Sequence, residues 1–315
     1  MKSSSSLFPV ALMRAEALSS ELIEDTYLLK PNNSADPTAQ VALSRLGYYQ
    51  DQDKKRGQPV ILVHGAFSNR GIWLDSQLSG LAKYLLEHNF DPWMLEFRGH
   101  GDSPENLQYE KNSLEIYAEF DLPAVEAFVY EQTSKNVLWL GHSSGGVCIA
   151  TSFAGKSIGQ HSIGAILFGS QVTRYPLLLK LPFAKLISRL FIGTKDRIHN
   201  PKFGPEAEPK GIALEFLRWA SVFTRWKSRN GISYRKEAND CKVPLLIFGA
   251  KKDNGDPAKA CEKLGSFFGG QKQFLLLSKQ KGFSMDYGHG NMVKGESAEK
   301  EVWPHILNWY ESISK

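Results

Sequence analysis

The amino-acid sequence predicts an α/β protein: a mostly parallel sheet with helices on both faces, and a helical insertion ahead of its last strands. Three observations lead there. Continuous apolar runs at 60–63, 137–140, 163–168 and 243–248 have the character of central parallel strands, which are buried on both faces. Segments of helical period separate them, and that alternation winds a parallel sheet. At 137–150 the string V-L-W-L-G-H-S-S-G-G-V-C-I-A joins an apolar strand to a small-residue helix through a glycine-flanked serine.

In chain order, residues 1–20 form an N-terminal extension. Its serine run and the apolar stretch 7–13 bear a faint likeness to a secretory leader, with Ala15-Glu16-Ala17 as the cleavage site. Pro9 and Arg14 interrupt that pattern, so a short amphipathic opening segment is expected. Residues 21–30 and 41–49 read as an edge hairpin turning at Pro31-Asn32-Asn33-Ser34. The strand at 60–63 runs into His64-Gly65-Ala66-Phe67. The spacing of Ile72, Leu74, Leu78, Leu81, Leu85 and Leu86 predicts a helix over 71–88, with Asp75 in its first turn. Residues 91–97 are a strand closed by Arg98-Gly99-His100-Gly101-Asp102-Ser103, and 113–131 is a long amphipathic helix. After the strand at 163–168 the composition shifts from about 171 until about 239. A strand at 243–248, a helix over 257–268, a short strand at 274–277 and a closing helix over 297–313 complete the chain.

Composition narrows the classes. The 315 residues carry 38 Lys and Arg against 33 Asp and Glu, a net charge of +5. No apolar run approaches the roughly 18 residues that a membrane span needs. Cys148, Cys241 and Cys261 form neither an even disulfide framework nor metal-ligand spacing, which favours a reducing compartment and a cytoplasmic location. Basic residues without an accompanying nucleic-acid module do not suggest nucleic-acid binding.

The glycine-flanked serine is where chemistry concentrates. A sharp strand-to-helix turn strains its central residue and tolerates only small neighbours, so Gly141 and Gly145 supply room while the turn lifts the Ser143 hydroxyl above the sheet. A serine needs a base, and the base needs a carboxylate to orient it. In an open parallel sheet these follow the serine as acid, then histidine. Of the histidines after Ser143, only His289 is flanked by glycines on a strand-end loop, and it is the candidate base. The strand at 243–248 ends in Gly249-Ala250-Lys251-Lys252-Asp253-Asn254-Gly255-Asp256-Pro257. Asp253 is the candidate acid and Asp256 the alternative; standing before Pro257, Asp256 also reads as a helix N-terminal residue. The oxyanion donors expected are the Ser144 amide and the Ala66 amide, with Phe67 as the fallback. His64 is expected to hold the oxyanion loop, and the turn at Arg98-Gly99-His100-Gly101 to buttress it. No metal or organic cofactor is called for.

With His64-Gly65-Ala66-Phe67, Phe97 to Ser103, Gly141 to Gly146, Gly249 to Asp253 and Gly288-His289 in this order, the chain resembles the α/β-hydrolase superfamily, over roughly residues 55–312. Within it the chain looks most similar to the lipase, lysophospholipase and serine-aminopeptidase-like branch. One departure is Lys251-Lys252 before Asp253, which makes that loop one residue longer than the common form. The resemblance implies a core divided into residues 21–170 and 239–315, with residues 171–238 as an inserted helical lid. Lid residues 177–192 and 214–226 form two apolar helical segments expected to pack on the core and to line an acyl pocket. Fourteen Lys and Arg face five acids in the lid, a local excess larger than the whole chain's +5. This charge solvates the lid surface, steers an anionic substrate or lets the lid rest on an anionic membrane.

These readings imply a serine hydrolase acting on a small-molecule or lipid-like carboxylic ester with an apolar acyl group. An amidase or aminopeptidase, an acyltransferase, and a non-catalytic hydrolase-fold binding module are the alternatives. Acyl chain length and oligomeric state are not encoded in any local pattern.

Overall fold

A computed structural model describes residues 5–51, 56–176, 179, 182–221 and 223–314. Nine strands form one sheet in the order β1-β2-β3-β5-β4-β6-β7-β10-β11. The first three, β1 (Val10–Ala17), β2 (Leu22–Leu29) and β3 (Val41–Tyr48), are antiparallel, and β3 pairs antiparallel with β5 (Phe90–Glu96). From β5 onward, β4 (Gln58–Val63), β6 (Val137–His142), β7 (Ser162–Phe168), β10 (Leu245–Ala250) and β11 (Lys272–Leu277) run parallel. The chain leaves β4 for β5 on one side and returns to β6 on the other, so the strand order reverses at the carboxyl ends of β4 and β6. Such a switch opens a crevice there.

The central strands are apolar throughout because two layers cover them. Ile61, Val63 and Trp139 face a core with α3 (Leu122–Thr133) and α4 (Ser144–Ala154), while Val60, Leu62, Leu138 and Leu140 face one with α1 (Leu81–Glu87) and α10 (Pro304–Ile313). Period-two alternation thus distributes each strand between two cores.

Several elements depart from the pattern-based expectations, each for a local reason. The extension at 1–20 contributes an edge strand, not merely an opening segment: Val10 and Leu12 pack against the core while Arg14 reaches Asp102 at 2.7 Å. The helix expected over 71–88 begins only at Leu81. Asp75 Oδ1 accepts the Gln77 and Ser79 amides at 2.9 and 3.0 Å, and Leu78 (φ 58°) and Gly80 (φ 137°) are left-handed, so no helix can pass through them. The helix expected over 113–131 is interrupted: a short α2 (Leu114–Ile116) passes through a π turn at Tyr117–Asp121 before α3, because Pro123 lacks the N–H a regular ladder requires. Pro304 likewise divides the closing segment into α9 (Glu296–Glu301) and α10.

The insertion contains α5 (Pro182–Gly193), a hairpin of β8 (Arg197–His199) and β9 (Ala207–Pro209), α6 (Lys210–Trp219) and α7 (Tyr234–Glu237). The hairpin has no signal strong enough to read from three-residue strands. α6 begins earlier than expected and buries Ile212, Leu217 and Trp219. By contrast Phe183, Leu186, Ile187, Leu190 and Phe191 of α5 are exposed. Leu177, Leu178, Lys180, Leu181 and Val222, also counted in the lid pattern, lie outside the described residues. Among the described residues no helix is long and apolar enough to cross a membrane.

Candidate active site

Ser143 stands between β6 and α4 with φ 53° and ψ −123°, a conformation a non-glycine residue adopts only when its surroundings impose it. They do so by exclusion. A Cβ on Gly145 would lie 2.3 Å from the His64 carbonyl oxygen, and one on Gly141 would lie 2.6 Å from the Gly146 nitrogen. The Ser143 N–H donates to the Phe168 carbonyl at 2.8 Å, which ties the turn to the end of β7.

Asp253 follows β10. It is buried, and its two oxygens are both engaged: Oδ1 accepts the Asp256 N–H at 2.8 Å and Oδ2 lies 2.6 Å from His289 Nδ1. The Lys252 N–H donates to the Tyr287 carbonyl at 2.8 Å, which holds the acid loop against the histidine loop. Burial disfavours the His289 imidazolium, but the Asp253 hydrogen bond and the charges of Asp253 and Asp256 outweigh it and hold His289 above its ordinary pKa.

The structure therefore brings Ser143, Asp253 and His289 to one end of the sheet. Asp256 joins them. It does not cap α8 (Ala258–Gly265), whose N-cap is Pro257; its Oδ2 accepts the Ser143 hydroxyl at 3.4 Å and lies 3.7 Å from His289 Nδ1, and its Oδ1 accepts Gln171 Nε2 at 3.0 Å. Burial pushes the Asp256 carboxyl above its usual range despite the nearby His289. Asp253, Asp256 and His289 are also the only group among the described residues whose ligand atoms lie close enough together, within 4.8 Å, to hold a metal ion. Asp253 Oδ2 and His289 Nδ1 are engaged with each other.

The loop His64-Gly65-Ala66-Phe67 reaches the same point. A Cβ on Gly65 would lie 3.0 Å from Ser143 Cβ, so the loop has no slack against Ser143. His64 is fully buried and held neutral, its pKa lowered to about 3 by burial and by His100. Its Nε2 accepts the Phe97 N–H at 3.1 Å while Nδ1 bonds the Gly65 carbonyl at 2.8 Å, which fixes the tautomer and the loop. The Phe67 N–H, by contrast, is occupied: it donates to Glu208 Oε1 at 2.6 Å. Among the described residues neither the Ala66 nor the Ser144 N–H donates to a protein acceptor. The Arg98 guanidinium is buried on Asp121, and its carbonyl lies 3.2 Å from His100 Nδ1.

Two contributors were not legible locally. His142, the variable residue inside the elbow, lies with Nε2 3.0 Å from the His289 carbonyl and so holds the histidine loop. Burial, with the neighbouring His289 charge, lowers its pKa to about 3 and keeps it neutral. Glu208 belongs to β9, a strand of the insertion that no pattern announced.

Residues 60–266 match the model of the alpha/beta hydrolase family. The chain belongs to that family. Among curated relatives of this hydrolase, the tear acid lipase-like protein of Mesocricetus auratus is 33% identical over 104 residues, 30% of this chain and 26% of that protein. Gastric triacylglycerol lipase of Homo sapiens is 29% identical over 133 residues, 39% of this chain and 30% of that protein. The match thus spans about a quarter to a third of the length of these relatives. An esterase from Thermogutta terrifontis superimposes with a TM-score of 0.58 at 18% identity, covering 90% of this chain and 98% of that one. The monoacylglycerol lipase of Paleococcus ferrophilus does so with a TM-score of 0.57 at 16% identity, covering 82% and 97%. At these identities the likeness is one of fold.

Proposed function

We propose that this hydrolase cleaves carboxylic esters with an apolar acyl group through an acyl-enzyme on Ser143. What carries the reading is a serine held in a strained elbow at the switch point of the sheet, beside a buried carboxylate 2.6 Å from the His289 ring nitrogen. Ser143 Oγ attacks the ester carbonyl carbon and its proton passes to His289 Nε2, while Asp253 keeps Nδ1 protonated and the ring aligned. The hydroxyl leaves Asp256 for the imidazole as substrate enters, since such contacts tighten only in the substrate complex. The Ala66 and Ser144 amides receive the oxyanion, at the positive end of α4. His289 then protonates the departing alcohol, and a water it deprotonates releases the acid.

The lipases and esterases among the relatives and structural neighbours support an ester substrate. An aminopeptidase needs a free acid for the substrate amine, and the lid acids Glu206 and Glu208 are spent on Asn69, Phe67 and His100. Hydrolysis of a p-nitrophenyl ester series from acetyl to palmitoyl, beside Ser143→Ala and an aminoacyl-arylamide, tests the assignment. Serine-dependent ester turnover supports it, and turnover restricted to the arylamide overturns it.

The exposed apolar side of α5 extends the reading to a partner. Phe183, Leu186, Ile187, Leu190 and Phe191 lie exposed on a helix that also carries Lys185 and Arg189. That composition suits an anionic bilayer surface. Flotation with phosphatidylserine vesicles is expected for the native chain and lost in Leu186→Asp/Phe191→Asp; equal flotation of both overturns the membrane contact. A cytoplasmic location is proposed from the three free cysteines, of which Cys148 and Cys261 are buried.

A further inference from the structure

We propose that Glu208, carried by lid strand β9, is a positioning residue of the oxyanion loop: its carboxylate accepts the Phe67 N–H and so fixes the 65–67 turn against Ser143. The inference rests on the hydrolase reading above and adds the lid to the catalytic geometry.

Phe67 is a non-glycine residue at φ 60°, a conformation that needs outside support. Among the described residues, one segment of the insertion holds both its backbone groups and its ring. The Phe67 N–H donates to Glu208 Oε1 at 2.6 Å, the Phe67 carbonyl accepts the Glu206 N–H at 3.1 Å, and the Phe203 ring lies 5.5 Å from the Phe67 ring. The segment is itself anchored to the core: Tyr109 donates its hydroxyl to the Ala207 carbonyl at 2.9 Å, and Glu206 Oε1 accepts Asn69 Nδ2 at 2.6 Å.

A carboxylate so close to a developing oxyanion would oppose catalysis unless its charge were balanced. His100 balances it. Its Nε2 lies 3.1 Å from Glu208 Oε1 and its Nδ1 3.2 Å from the Arg98 carbonyl, two acceptors that only a doubly protonated ring satisfies together. The Glu208 charge also holds His100 above its ordinary pKa, against the burial that lowers it. The result is a buried, neutralised pair whose remaining function is to grip one backbone amide. Because Gly65 has no slack against Ser143 Cβ, displacement of residue 67 is transmitted to the Ala66 amide that lies between them.

The opposite reading of the same contact is that Glu208 blocks a donor and restrains the enzyme. The two differ in sign. On the positioning reading, Glu208→Ala in the full chain lowers kcat for p-nitrophenyl butyrate by roughly 10- to 100-fold, with KM changed less than about threefold. Glu208→Gln, which keeps a carbonyl acceptor, restores kcat to within about fivefold of the native value. A Glu208→Ala enzyme at or above the native kcat overturns the proposal. If Glu208→Ala does not fold, Glu208→Asp serves, since it keeps a negative charge beside His100 while the shorter side chain draws back the one oxygen that His100 and the Phe67 N–H share. A lower rate of Ser143 labelling by a fluorophosphonate supports the proposal, and an unchanged rate overturns it. A native enzyme that neither labels nor turns over removes the hydrolase reading and this proposal together. A native enzyme that labels, beside an unaffected Glu208→Asp, removes this proposal alone.

Discussion

The Ser143 hydroxyl donates to Asp256 Oδ2 at 3.4 Å, although the carboxylate that holds His289 Nδ1 is Asp253, at 2.6 Å. Two carboxylates three residues apart thus face two different members of the same site. Their replacement should have unequal consequences. Asp253→Asn lets Nδ1 lose its acceptor and is expected to lower kcat by about 10³–10⁴-fold, whereas Asp256→Asn is expected to cost less than about tenfold. Steady-state turnover of a p-nitrophenyl ester separates them, and a larger loss in Asp256→Asn would reverse the acid assignment.

The pH profile carries the same distinction. On the proposed mechanism His289 is the base and works only when neutral, and the Asp253 and Asp256 charges hold its pKa above the ordinary 6.5. The acid limb of kcat/KM should therefore lie above that value, with activity lost as pH falls through it. Removing the Asp256 charge takes away one of the two charges that favour the imidazolium, so Asp256→Asn moves the limb to lower pH. A limb unmoved in the variant would show that Asp256 does not act on His289.

The elbow depends on the absence of a side chain. In Gly145→Ala the new Cβ would meet the His64 carbonyl oxygen at 2.3 Å and the Val63 carbonyl oxygen at 2.4 Å, both rigid backbone. A destabilisation of about 1–3 kcal/mol is expected, with loss of Ser143 labelling because the turn must shift. Thermal unfolding at native stability together with native labelling would contradict this.

The insertion docks on the rest of the chain through a buried charge cluster. Arg218 Nη2 donates to Glu115 Oε2 at 2.6 Å and to Glu215 Oε1 at 3.2 Å, so one guanidinium from α6 bridges two carboxylates. Burial and then the Glu115 charge push Glu215 above the usual carboxylate range, against the pull of Arg218. Arg218→Met leaves Glu115 and Glu215 without the guanidinium hydrogen-bonded to both. Allowing for the partial exposure of Arg218, the expected loss is about 2–3 kcal/mol, below the full cost of breaking a buried pair. Faster proteolysis within 171–238, ahead of global unfolding, is the sign to look for; a native cleavage rate would count against the clamp.

The sequence by itself determined what is local and strongly patterned. Val60 to Val63 and Leu138 to Leu140 are apolar on both faces, which demands a buried parallel strand, and Gly141, Ser143 and Gly145 demand a turn that only small neighbours allow. Their order along the chain placed Ser143, Asp253 and His289 at strand ends. Where a helix starts was less legible around Asp75 and Pro123, because one side chain or one missing N–H redirected the backbone against the apolar period. The tertiary structure alone decided which way the Asp256 carboxylate turns, that His142 reaches the His289 carbonyl, and that Glu208 reaches Phe67 from 141 residues away. The physical reason is common to all three: a polar side chain buried at a junction of loops takes whichever donor the fold brings within hydrogen-bond distance, and no local periodicity records that choice.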